Sequence, residues 1–170
     1  IRVHESNAVF TVSDGLLYKT GLTEVVYCPA RRTGTLTLPD NVLLIGPYAF
    51  ACSELSNVKM TAVAAIGEGA FTHAVNLYEV TLPDSVNALG NAVFAYASLS
   101  RIRLSENLTV IPKEAFAGSG LTEIHIPSKV TQINKTAFAN CYILTALTFA
   151  ENLNGNINCL AKLPPKAYAT

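Results

Sequence analysis

The residues able to do covalent or metal chemistry are few and scattered. The four cysteines, Cys28, Cys52, Cys141 and Cys159, contain no Cys-x-x-Cys pair, and no histidine (His4, His73, His125) falls at metal-ligand spacing from any of them. A zinc ion needs a close set of such ligands, so no metal and no cofactor is expected. His-Glu-x-x-His, Gly-x-Ser-x-Gly, phosphate-loop and dinucleotide patterns are all absent from the sequence. The expectation is a chain that is not an enzyme. What remains is non-covalent chemistry, carried by charged and hydrogen-bonding residues set between aliphatic ones: Lys59, Thr81, Arg101, Arg103, Glu123 and His125.

These residues need a frame, and the frame is a repeat. Phe50, Phe71, Phe94, Phe116 and Phe138 each follow Ala or Val, at intervals of 21, 23, 22 and 22 residues. Five residues before each Phe stands Ile45, Ile66, Leu89, Ile111 or Ile133, and eight before it Val42, Val63, Val86, Leu108 or Val130. Upstream runs a Leu-x-x-aliphatic-x-aliphatic stretch, as in Leu77, Val80 and Leu82 or Leu121, Ile124 and Ile126. Alternation of this kind marks a half-buried strand. Pro39, Pro83 and Pro127 follow the strands and end them, because proline has no N–H for a ladder. In the second repeat Thr61 takes the proline position and one residue is missing between Met60 and Val63, so an irregularity is expected there.

A period in the low twenties is that of a leucine-rich repeat, in which one strand and a return segment form a coil that buries its apolar side against its neighbours. The fold class expected is therefore a leucine-rich repeat solenoid, with a parallel β-sheet on one face and short irregular or helical return segments. Gly46, Gly67 and Gly90, after the second aliphatic column, are expected at positive φ. Cys52, Ala74, Tyr96, Gly118 and Cys141 stand three residues before the strand-opening leucines, where small buried residues are expected and Tyr96 must tip outward. Cys52 and Cys141 then lie four coils apart, about 19 Å at ~4.8 Å per coil, beyond disulfide reach. Cys28 and Cys159 lie outside the repeat, and their pairing stays open.

The consensus Leu-x-x-Ile-x-Ile-Pro-x-x-Val-x-x-Ile-Gly-x-x-Ala-Phe-x-x-Cys, best seen in Leu121 to Cys141, resembles the BspA-like leucine-rich repeat over roughly residues 33 to 150. Ser13 to Tyr18 with Tyr27-Cys28-Pro29 is similar to an insert that precedes such repeats, and Leu163-Pro164-Pro165 to the family's closing segment. The resemblance implies a surface protein of a host-associated microbe, extracellular or on the cell surface. It also implies a protein ligand such as a host surface or matrix protein.

One domain over residues 1–170 is expected. Residues 1–32 would form an N-terminal strand, drawn from Ile1 to Val3, and a β-meander cap; 33–150 about five repeats and the start of a sixth; 151–170 a closing segment. The chain is 50% hydrophobic, only 14% charged, and of zero formal net charge. That balance offers no electrostatic footprint for nucleic acid or an anionic membrane. No apolar run reaches the ~18 residues of a membrane-spanning helix. Asn107-Leu108-Thr109 and Asn134-Lys135-Thr136 match the glycosylation acceptor pattern and are read as corner residues.

If the aliphatic strand residues point inward, two outward columns follow: Asn57, Glu79, Arg101, Glu123 and Ala146, and beside it Lys59, Thr81, Arg103, His125 and Thr148. Arg101 should be neutralised between Glu79 and Glu123, leaving Lys59, Arg103 and His125 as an unpaired basic stripe. Function is therefore expected to be binding or adhesion through the strand face. The alternative is a spacer that holds another domain away from the membrane.

Overall fold

The structure, a computed structural model, describes residues 1–150. Three strands lead: β1 Phe10–Ser13, β2 Leu16–Lys19 and β3 Glu24–Tyr27. The first turn carries Asp14 and Gly15 at φ 46° and 74°, the mirror-image hairpin geometry that Asp-Gly favours. Eleven further strands alternate between long and short. The longer ones are β4 Thr33–Thr37, β6 Glu54–Lys59, β8 Glu79–Thr81, β10 Arg101–Arg103, β12 Glu123–Ile126 and β14 Ala146–Phe149. Between them lie β5 Leu44–Ile45, β7 Ala65–Ile66, β9 Ala88–Leu89, β11 Val110–Ile111 and β13 Gln132–Ile133. Each coil thus holds one strand of the expected face and one short strand on its return. No helix occurs among the described residues.

Burial follows the apolar columns. The five phenylalanines form one continuous stack, with successive ring centroids 5.1, 5.2, 5.8 and 5.4 Å apart and planes within 11° of parallel. The aliphatic columns close around it, Val42, Val63, Val86 and Leu108 having no exposed surface. The strand-ending prolines open tight turns: Val42, Val86 and Val130 donate their N–H groups to the carbonyls of Pro39, Pro83 and Pro127. The short second repeat lacks that bond among the described residues, and Thr61 instead donates to Asp40 at 2.8 Å. A further irregularity lies in β6, where pairing with β4 shifts register between Gly34 and Thr35.

Several expectations need correction. Ile1 to Val3 forms no strand; the meander that caps the first coil joins the short-strand side, β3 pairing with β5. Gly46, Gly67 and Gly90 are not at positive φ. They are glycines because the preceding coil is too close: a Cβ would lie 2.9 Å from the Val25 carbonyl oxygen at Gly46, 2.6 Å from the Pro47 nitrogen at Gly67, and 2.3 Å from the Glu68 nitrogen at Gly90. Cys52 is exposed, whereas Cys141 is buried; both are free thiols, as is the buried Cys28. Cys159 and the closing segment lie outside the described residues. The two cysteines fall in different columns because five residues separate Phe50 from Leu55 but six separate Phe138 from Leu144. Counted from the phenylalanines, Cys52 joins His73, Tyr96, Gly118 and Asn140, all at φ between 55° and 64°. Cys141 joins the buried Ser53, Ala74, Ala97 and Ser119.

The corner after the short strand explains one break in the ladder. Gly46, Gly67, Gly90 and Asn134 each donate an N–H to the coil before, at 2.7–2.9 Å. Pro112 occupies that position in the fourth coil and has no N–H to give. The short-strand ladder divides there, into a sheet ending at β9 and the separate pair β11–β13.

Candidate protein-binding face

The long strands pair two by two. β4 pairs with β6, β8 with β10 and β12 with β14, all parallel, while β6 packs beside β8 and β10 beside β12 without ladder bonds. The face is therefore three two-stranded ribbons separated by two clefts. Residues of the candidate face line both. A depression of about 420 Å³ between β10 and β12 takes in Arg101, Arg103, Glu123 and His125, with Thr81 at its margin. Another of about 400 Å³ between β6 and β8 holds Lys59, Glu79 and Thr81.

The charges are arranged differently from the sequence expectation. Arg103 is not unpaired: its guanidinium reaches Asp84 at 3.2 Å and also donates to the Leu82 carbonyl. The Asp84 carboxylate accepts the Glu106 N–H as well, and this bond, with the Arg103 bond second, holds its pKa below the usual value. Arg101 stands in register with Glu79, yet among the described residues it makes no ion pair, and neither do Lys59, Glu79 or Glu123. Side chains rise roughly perpendicular to a sheet, so neighbours in register stand side by side and need not bring their tips together. His125 and Thr148 do meet, ring nitrogen to hydroxyl at 3.0 Å across the β12–β14 register.

The residue missed from sequence is Asp84. It belongs to the turn after β8 rather than to a strand column, and only the coil-to-coil offset carries it to Arg103. A signal existed in the Pro-Asp dipeptide that follows two strands: Asp40 reaches forward to Thr61 as Asp84 reaches to Arg103 and Glu106. The two acceptor-pattern asparagines also serve the corners. Asn107 donates to the Asp84 carbonyl and accepts from Lys129, while Asn134 accepts from the N–H and hydroxyl of Thr136. No group of three His, Cys, Asp or Glu among the described residues is placed to hold a metal ion.

Stacked coils of about 22 residues, each with a Leu-x-x-aliphatic-x-aliphatic strand and a buried Phe, define a leucine-rich repeat solenoid. The pattern of the BspA type leucine-rich repeat region matches residues 29–96 and 44–158 in six copies, and the chain belongs to that family. Solved structures agree on the fold. A leucine-rich repeat protein of Eubacterium ventriosum superposes with a TM-score of 0.76 at 21% identity, over 85% of this chain and 41% of that one. A leucine-rich cell surface protein of Faecalibacterium prausnitzii gives 0.59 at 23% identity, over 86% and 56%. The leucine-rich repeat protein of T. pallidum gives 0.68 at 21% identity, over 86% and 71%. The chain thus spans 41% and 56% of the length of the first two. The search of curated proteins found no match to the chain.

Proposed function

We propose that this chain is a protein-binding module displayed outside the cell, and that it engages its ligand across the strand face through the two clefts. The observation that carries the reading is that Lys59, Glu79, Arg101 and Glu123 sit at these clefts with no ion-pair partner among the described residues. Charges of both signs left free on a regular surface suit a partner with complementary charges, which they would steer and orient. Arg103, paired with Asp84, offers less free charge, and His125, hydrogen-bonded to Thr148, helps shape the cleft. Membership of a repeat family built as scaffolds, and likeness to a protein described as a cell surface protein, support both the binding role and the location.

The test is a surface-binding assay against purified extracellular matrix proteins, comparing the chain with a Lys59→Glu/Arg101→Glu variant at several ionic strengths. The variant should lose affinity, and most of the salt dependence with it. Affinity unchanged with the fold intact by circular dichroism would remove the strand face from the binding role. No binding to any matrix protein would favour the spacer reading.

A further inference from the structure

The corner that leads into the long strands carries a second surface of different character. Along the column at Phe plus two, Tyr96 leans over Gly118: a Cβ on that glycine would lie 2.4 Å from the tyrosine ring. On its other side Tyr96 packs against His73, ring centroids 5.2 Å apart. In the fifth coil the spacing from Phe138 to Leu144 is one residue longer than in the third and fourth coils, and the extra length puts Tyr142 and Ile143 into solvent, 81% and 54% exposed. The fourth coil between them has glycine at both corner positions, Gly118 and Gly120. Coils two apart in such a stack are separated by ~10 Å. The result is a notch of about 420 Å³, with Tyr96 on one side, Tyr142 and Ile143 on the other, and the two glycines in its floor.

The notch contains no charged residue. Its polar groups are neutral: the Asn140 amide, whose oxygen accepts the Tyr142 hydroxyl at 3.1 Å, the half-buried Ser98, and exposed backbone. Glu54 and Ser98 donate their N–H groups to Ala30 and Ala74 in the coils before. The equivalent pair, the Gly120 N–H and the Ala97 carbonyl, makes no hydrogen bond among the described residues. The Gly120 N–H, the Ser98 hydroxyl, the Asn140 amide and two tyrosine rings therefore line a single small depression, in the size range of small-molecule sites.

We propose that this notch binds a neutral pyranose saccharide. A pyranose has an apolar C–H face that stacks on an aromatic ring and a rim of hydroxyls that both donate and accept, which is the inventory the notch presents. An ionic ligand would be desolvated here without a counter-charge. An extended peptide added to a sheet edge needs a strand to pair with, and none of the notch residues lies in one. The site is independent of the strand face and of the ligand proposed for it.

The test is titration of the isotope-labelled chain with lactose, cellobiose and N,N′-diacetylchitobiose, followed by backbone NMR. At least one disaccharide should shift the resonances of Gly118, Gly120 and Asn140 at millimolar concentration. Tyr142→Ala should weaken that binding about tenfold, the scale of one lost aromatic stack. Gly120→Gln should block it by filling the floor; a Cβ there meets the Leu99 and Ser98 carbonyls at ordinary contact, 3.4 Å and beyond, so the fold tolerates it. Lys59→Glu/Arg101→Glu should leave it unchanged, separating this site from the strand face. The proposal is overturned if none of the three sugars shifts these residues, if Tyr142→Ala binds as the parent does, or if only a proline-rich peptide occupies the notch.

Discussion

Replacing Phe94 by alanine tests the physical basis of the whole stack. Phe94 has no exposed surface and lies between two rings, Phe71 at 5.2 Å and Phe116 at 5.8 Å. Truncating a buried Phe costs ~3–5 kcal/mol through lost burial and the cavity left behind. Each stacked pair adds ~0.5–1.5 kcal/mol beyond area. Phe94→Ala loses two such pairs, so the upper part of that range, ~4–5 kcal/mol, is expected. Phe50 is equally buried but among the described residues stacks on Phe71 alone, so Phe50→Ala should cost ~1 kcal/mol less. Domains of this kind are stable by only ~5–15 kcal/mol, so both variants should shift the urea midpoint strongly at an unchanged slope. The chain has no tryptophan, so tyrosine fluorescence and far-ultraviolet circular dichroism are the probes. A cost below ~1 kcal/mol for Phe94→Ala would refute the stack as the energetic core. A cost for Phe50→Ala equal to or above that of Phe94→Ala would refute the part assigned to neighbouring rings.

Gly90→Ala should destabilise the chain by ~1–3 kcal/mol, because its Cβ would lie 2.3 Å from backbone of the preceding coil, while Gly120→Ala should be nearly neutral in the same thermal melt. In the native protein a maleimide should label Cys52 rapidly and leave Cys28 and Cys141 unmodified until denaturant is added; labelling of Cys28 at the rate of Cys52 would contradict its burial. Burial pushes the Cys28 thiol up to about 11 from its ordinary value of 9.0, and it raises Tyr18 and Cys141 as well. Between pH ~9 and 11 the folded state therefore holds protons that the unfolded state has released, so stability should be level below that window and fall as pH rises through it, as alkaline urea titrations would show. For Asp84 the sign is opposite: its depressed pKa contributes stability above the ordinary carboxylate value that is lost as pH falls through the folded value, and Asp84→Asn should reduce this part of the acid sensitivity.

Much of the architecture was legible in the residues because burial is periodic along the chain. A phenylalanine about every 22 residues, aliphatic columns five and eight before it, and alternation in each strand are local patterns with one stable arrangement, a stack of coils. The ring stack, the inward residues of β8, β10 and β12 and the proline turns follow from those patterns. Surface columns were less legible, because the distance from Phe to the next Leu is five residues in some coils and six in others. Counting back from the leucine placed Cys52 and Cys141 together, and counting forward from the phenylalanine separates them into an exposed and a buried position.

Sequence alone determined the period, the core, the strand ends and the family resemblance, all of which depend on residue type and spacing within one coil. Tertiary structure decided everything that depends on how one coil lies against the next. The glycine corners answer to backbone 2.3–2.9 Å from a would-be Cβ, a distance set by the neighbouring coil. Pro112 is unremarkable within its own coil, but it removes the N–H that the ladder needs from that corner. Arg103 finds its carboxylate in a turn 19 residues earlier in the chain, and Tyr96 and Tyr142 face one notch although a whole coil separates them. Apolar burial is short-range and repeats with the sequence, whereas the partner of a long surface side chain is chosen by the offset between coils, which no single repeat contains.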